Sequence, residues 1–372
     1  MTWKIKPLAE LCKMYQAQTL SKKQLKPQGK YFVYGANGII GQYDKYNHEE
    51  SQLIITCRGA TCGSINTTKP YSWINGNAMV IQPNENEVLK KYIEYCFKGI
   101  IDFSKIITGS AQPQITRESL NPVLISYPSI PEQQRIVAKL DATFSEINNL
   151  NKINIKKENE ITLLYENSKN RIFDNILDFE QKKLKEVCEK ITDGTHQTPK
   201  YFDKGYVFLS SRNVKSKIIN WEKIKYIDEK QHVEMQKRVS PKMGDILLAK
   251  NGTTGMAAIV DRDIPFDIYV SLALLRSSGD ILPEYLLEFV NSKAANKQFS
   301  QRTKGIGVQN LHLQEIREVL IKYPKSKIEQ KNVIKKNQFI NTTYKELLFL
   351  QEKIINNLKA LKLSILKEEL QI

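Results

Sequence analysis

The stretch Gly109-Ser-Ala-Gln112-Pro-Gln114-Ile115, followed by Val123-Leu124-Ile125-Ser126-Tyr127-Pro128, returns as Gly305-Ile-Gly-Val-Gln309-Asn310-Leu311, followed by Val319-Leu320-Ile321-Lys322-Tyr323-Pro324. The displacement is constant at 196 positions, from Gly109 to Gly305 and from Leu124 to Leu320. Just beyond, Ile130-Pro131-Glu132-Gln133-Gln134 is answered by Lys327-Ile328-Glu329-Gln330-Lys331. Each copy then enters a long stretch with no further Gly or Pro. A period of this length means a duplicated domain with its helix, not a solenoid of short repeats. Two like modules at a fixed separation suit two like objects at a fixed separation.

Upstream of each copy the texture is mixed. Lys30–Tyr34 and Leu53–Cys57 read as strands, and Val88–Phe97 reads as a short amphipathic helix. In the second half Val207–Ser210 and Asp245–Ala249 read as strands, and Tyr285–Val290 answers the earlier helix. Arg58–Gly63 and Lys250–Gly255 are loops at matching places, the first one residue longer between its glycines. That difference predicts different targets for the two domains.

Downstream of each copy the pattern is helical. Ile136, Leu140, Ile147, Leu150, Ile161 and Leu164 recur at threes, fours and their multiples, with Asn154 and Lys157 on the same stripe. Val333, Ile340, Leu347, Ile354 and Leu361 fall every seven residues, widened by Tyr344, Leu350, Leu358 and Ile365. Such a repeat predicts a coiled-coil seam, with the two helices packed on each other. A polar residue on a seam can fix direction and register at a cost in stability. Each helix of roughly 40 residues would be about 60 Å long. Pro131 suits a first helical turn, and the second copy lacks it, so the second helix is expected to start differently.

Composition narrows the function classes. The 372 residues suggest two or three domains, and 41% hydrophobic residues suffice for packed cores. The chain has no apolar run long enough for a membrane span, and Met1–Pro7 lacks the apolar core of a secretion signal. A cytoplasmic protein with no membrane partner is therefore expected. Cys12, Cys57, Cys62, Cys96 and Cys188 are irregularly spaced and read as reduced, mostly buried thiols without a metal. Net charge is +16, of which +4 falls in residues 1–180 and +12 in residues 181–372. The excess suits a polyanion, although lysine enrichment in an AT-rich genome gives the same sign.

Catalytic patterns are missing. Lys250-Asn-Gly-Thr-Thr-Gly255 lacks the closing Gly-Lys-Ser/Thr of a phosphate loop, and Asn121-Pro122-Val123-Leu124 lacks the second proline and aromatic of an adenine methyltransferase motif. Gly35-Ala-Asn-Gly38 reads as a hairpin turn. Recognition chemistry is better represented. Arg58 could fork onto guanine, while Asn37, Gln42, Gln112 and Gln114 could pair with adenine. In the second half Thr195, His196, Gln197, Lys200, Arg212, Asn213, Lys250, Asn251, Thr253, Thr254, Arg302 and Lys304 stand on polar, lysine-flanked loops. As sets these loops read as DNA-binding surfaces.

The tract Tyr127-Pro-Ser-Ile-Pro131-Glu-Gln-Gln-Arg135-Ile-Val-Ala-Lys-Leu-Asp141 resembles the entry to the central helix in specificity subunits of type I restriction-modification systems. Asp193-Gly-Thr-His-Gln-Thr-Pro199, Phe208–Val214 and Gly244–Gly255 resemble a target recognition domain of that family. The resemblance spans essentially the whole chain. It implies an α+β fold, with two duplicated α/β target recognition domains joined by two long antiparallel coiled-coil helices. The expected ranges are 1–130 and 179–326 for the recognition domains, and 131–178 and 327–372 for the conserved spacer helices. It implies a non-catalytic subunit binding a bipartite double-stranded DNA target, one half-site per domain, with the helix pair setting the spacer. The implied partners are two modification (adenine methyltransferase) subunits and the restriction (motor-nuclease) subunits. No cofactor is expected in this chain, because S-adenosylmethionine, ATP and magnesium belong to those partners. A fused methyltransferase or nuclease, and a coiled-coil assembly protein, are the competing classes.

Overall fold

The computed structural model describes residues 2–35, 38–99, 101–109, 112–173, 176, 178–302 and 310–371. They form two compact units, Met1–Ile155 with Gln351–Ile372, and Lys156–Leu350. No described helix is long and apolar enough to cross a membrane.

The first unit runs β1 (Lys4–Pro7), α1 (Leu8–Leu11), β2 (Cys12–Gln16), β3 (Tyr31–Gly35), β4 (Gly38–Tyr43), β5 (Leu53–Thr56), β6 (Ile65–Thr67), β7 (Trp73–Ile74), β8 (Ala78–Pro83), α2 (Lys90–Gly99), α3 (Arg117–Leu120) and β9 (Leu124–Tyr127), then enters α4 (Ile130–Arg171). Its main sheet has the order β2-β8-β5-β6 and a smaller one the order β4-β3-β7, while β1 pairs with β9. All four residues of β5 are buried because both faces of the main sheet are covered. Leu53 and Ile55 pack with Tyr92, Ile93 and Phe97 of α2, whereas Ile54 faces Tyr34 and Ile74 of the smaller sheet.

The second unit repeats this plan. After α4 come β10 (Phe179–Lys183), α5 (Leu184–Val187), β11 (Cys188–Asp193), β12 (Tyr206–Leu209), β13 (Val214–Lys215), β14 (Ile218–Ile219), β15 (Lys225–Ile227), α6 (Glu229–Gln236), β16 (Ile246–Ala249), β17 (Ala257–Ile259), β18 (Phe266–Ile268), β19 (Leu272–Ser277), α7 (Pro283–Val290), α8 (Lys293–Arg302), α9 (Leu313–Arg317), β20 (Leu320–Pro324) and α10 (Lys327–Glu369). The sheets β11-β19-β16-β17 and β15-β12-β18 and the pair β10-β20 match those of the first unit strand for strand. In both smaller sheets the outer pair on one side is parallel, β3 with β7 and β12 with β18. The alternation in β16 follows the same rule: Ile246 and Leu248 face α7, and Leu247 and Ala249 face the smaller sheet.

The long helices are shared between the units, and within each unit their segments run antiparallel. In the first, Lys139 pairs with Glu369 and the Lys362 ammonium lies 4.6 Å from the Phe144 ring centre. In the second, Tyr165 stacks on Tyr344 with ring centres 4.0 Å apart, and Lys169 reaches Asn337 and Asn341. The seam expected from sequence needs correction in phase. Ile136, Leu140 and Ile147 are buried and Ile161 is half-buried, but Leu150 and Leu164 are exposed, at 49% and 65%. On α10 Val333 is buried and Ile340 half-buried, while Leu347, Ile354 and Leu361 are exposed. The less exposed positions run Ile334, Asn337, Asn341, Tyr344, Leu348, Gln351, Ile355, Leu358 and Ile365, a seven-residue repeat one position later. One position turns an α-helix by about 100°. The inner face is partly polar, so the apolar pattern pointed to its neighbour. Asn154 is buried, as the stripe placed it, and Lys157 is exposed.

The second helix does not start differently for want of a proline. Gln133 N donates to Ser129 O at 2.9 Å, and Gln330 N donates to Ser326 O at 3.0 Å.

Candidate nucleic-acid interface

In the second unit, β11 ends at Asp193 and the chain turns tightly at Gly194, where a Cβ would lie 1.8 Å from the Ile268 carbonyl oxygen. Thr195 then pairs with Tyr269 beyond β18, its carbonyl accepting from Val270 N at 2.9 Å. This docking leaves His196, Gln197 and Lys200 exposed. The loop after β16 lies beside it. Asp193, 2% exposed, accepts from Lys250 Nζ at 2.6 Å and from Arg238 Nη2 at 2.5 Å, and lies 3.3 Å from His196 Nε2. Burial alone would raise the Asp193 carboxyl, but the hydrogen bonds from Lys250 and Arg238 outweigh it and hold the group below the usual range.

Lys250, expected on the DNA surface, is therefore an interior residue, 6% exposed. Asn213 is also corrected. It is buried, and its side chain accepts from Ser210 N at 3.0 Å and donates to Asn220 O and Lys223 O. Both had the right chemistry for base contacts, but internal partners occupy it. Thr254 is half-buried, with its hydroxyl donating to Lys250 O at 3.3 Å, and Arg302 closes α8 by donating to Gln298 O. Arg212 and Thr253 are exposed, and Asn251 is half-buried with Oδ1 at 3.4 Å from Ser211 Oγ.

Arg212 and Asn251 belong to a cleft of about 630 Å³ that sequence reading had not outlined. Lys215, Lys223, Lys225, Tyr201, Phe208 and Tyr269 also line it, and no Asp or Glu does. The Lys225 ammonium sits 3.7 Å from the centre of the Tyr201 ring. Cations for phosphate, aromatic faces and amide or guanidinium groups for base edges thus share one concave surface. The lysines and aromatics come from β12, β13, β15 and the flanking loops, with no shared spacing in the sequence to signal that they converge.

In the first unit the Arg58 loop meets the segment carrying Gln112 and Gln114. Arg58 bridges Gln114, and Gly59 N donates to Pro113 O at 3.2 Å. Arg58 and Gln112 are exposed and Gln114 is half-buried. Gln42 stands apart in β4, on the smaller sheet. Asn37 and Lys304 lie outside the described residues. Among the described residues no cluster of His, Cys, Asp and Glu could hold a metal ion.

Residues 1–161 and 176–361 match the family described as Type I restriction modification DNA specificity domain. The chain belongs to this family. It is a specificity chain of a type I restriction-modification system, and such chains are non-catalytic. It is similar to a putative type I restriction enzyme specificity subunit of Haemophilus influenzae, 24% identical over 88% of this chain and 85% of that protein. A specificity subunit of Methanocaldococcus jannaschii is 23% identical over 72% of this chain and 68% of that one. The fold resembles the HsdS subunit of Thermoanaerobacter tengcongensis, with a TM-score of 0.63, 16% identity and coverage of 99% of this chain and 96% of that one. It also resembles a chain solved in work on complex assembly and conformational transition of the type I R-M system, with a TM-score of 0.70, 17% identity and coverage of 99% and 97%.

Proposed function

We propose that this specificity chain binds a split double-stranded DNA target, each recognition domain reading one half-site. The recognition domains would be residues 1–130 and 179–326, and the segments 131–178 and 327–372, which carry α4 and α10, would set the unread gap. The acid-free cleft around Arg212 and Lys225, beside the exposed His196 and Gln197 loop, carries this reading. Its lysines suit phosphates, whereas Arg212, Asn251, His196 and Gln197 suit base edges. In the other domain Arg58, Gln112 and Gln114 form the corresponding set.

The chain would recruit two modification subunits, which methylate adenine with S-adenosylmethionine, and restriction subunits that use ATP and magnesium. Their docking surface would be the helix pair, where Phe339, Phe349 and Leu350 of α10 are exposed. Selection of bound duplexes from a random library tests the reading. It should enrich one two-part sequence with a constant gap. Enrichment of a single uninterrupted motif, or of none, would contradict it.

A further inference from the structure

Asp193 and Lys250 form an ion pair whose side chains are only 3% and 7% exposed. A buried pair of this kind gains little stability, because desolvating both charges offsets their attraction. The duplicated domain shows that the fold can be built without it. Lys250 N donates to Ser271 O, and Lys250 O accepts from Leu311 N; Cys57 makes the same two bonds, to Asn77 O and from Ile115 N. Asp193 pairs with Ala273 on β19, as Gln16 pairs with Met79 on β8. The first unit therefore holds two neutral residues, Gln16 and Cys57, where the second holds two charges.

What the charges add is a link between loops. Arg238 is half-exposed, and besides binding the Asp193 carboxylate it donates Nε to Asp193 O at 3.1 Å. Its Nη2 also lies 3.3 Å from His196 Nε2. One carboxylate thus ties the loop after β11, the loop after β16 and Arg238, two residues beyond α6. We infer that Asp193 is a positioning residue that locks the 193–200 and 250–255 loops into a single arrangement for base reading by the second domain. The inference rests on the proposed DNA-reading role. It predicts loss of discrimination without loss of general DNA affinity, because Asp193 and Lys250 are both interior and neither meets phosphate.

The test uses the full-length chain and the duplex it selects, together with duplexes in which one or the other half-site is scrambled. The double substitution Asp193→Gln with Lys250→Cys installs the neutral pair of the first unit. Discrimination against one scrambled half should fall at least tenfold, while discrimination against the other half, affinity for random duplex and its salt dependence stay as in the wild type. Retention of both discriminations would overturn the positioning role and leave the DNA-reading proposal standing. Should that variant fail to fold, Arg238→Met decides, since it keeps the buried pair and removes the clamp beside His196. It should relax the same half-site, and unchanged discrimination would overturn the inference. A wild-type chain that discriminates neither half would remove the DNA-reading proposal and the inference with it.

Discussion

Gln133 and Gln330 make the same three hydrogen bonds in the two units. Gln133 Oε1 accepts from Leu89 N, and its Nε2 donates to Glu87 O and Pro128 O, all at 2.9 Å. Gln330 Oε1 accepts from Leu282 N at 2.8 Å, and its Nε2 donates to Asp280 O and Pro324 O at 2.9 Å. Both side chains are fully buried. Each glutamine fastens the first turn of a long helix to the strand end before it and to the loop leading into α2 or α7. Leucine at either position would take the partner from two carbonyls and one N–H, of which Pro128 O or Pro324 O lies in the interior. The cost should be about 1–3 kcal/mol, and Gln133→Leu and Gln330→Leu should each lower the unfolding midpoint in denaturant. Midpoints within a few tenths molar of the wild type would count against the clamp.

Lys169 should make stability depend on alkaline pH. Its ammonium lies in the helix seam of the second unit, and burial, with the nearby Lys217 charge, lowers its pKa to about 8. The unfolded chain then holds more protons than the folded one between pH 8 and the ordinary lysine value of about 10.4. Stability from this group therefore rises with pH across that window. The wild type should gain stability between pH 7.5 and 9.5, and Lys169→Met should lose that increment. Parallel pH profiles for the two proteins would contradict the assignment.

Much of the organisation was legible because it is periodic or repeated. The 196-residue displacement marked the duplication, and Leu53–Cys57 and Asp245–Ala249 marked the central strands. The long helices were legible in length, and α10 in period, but not in phase. Asn337, Asn341 and Gln351 occupy the inner face, while Phe349 and Leu361 face outward, so hydrophobicity alone pointed one residue off. The recognition loops were found by composition. Which of their polar groups are free was not, because a lysine whose partner lies 57 positions away looks like any surface lysine. Tyr201 and Tyr269 escaped notice for the same reason: their neighbourhood exists only after the strands assemble.

Substitutions in the second domain should separate three roles. Arg212→Ala should cost about 1–3 kcal/mol of binding and relax preference in one half-site. Lys225→Gln should weaken binding to every duplex alike and lower the salt slope by about one. Lys250→Ala should act on folding, because it leaves Asp193 Oδ2 without its interior partner, and its melting temperature should fall. Titrations of each variant against specific and scrambled duplexes, with melts alongside, check all three. A Lys250→Ala protein with wild-type stability would contradict the interior role.

The proposed division of labour, with two readers held apart by a helical spacer, is tested most directly by lengthening that spacer. One heptad inserted after Lys156 and one after Leu350 adds about 10 Å to each helix, or about three base pairs at 3.4 Å per pair. Selection from a random duplex library should return both wild-type half-sites, unchanged in sequence, with the gap between them enlarged by about three base pairs. Altered half-site letters with an unchanged gap would contradict the account.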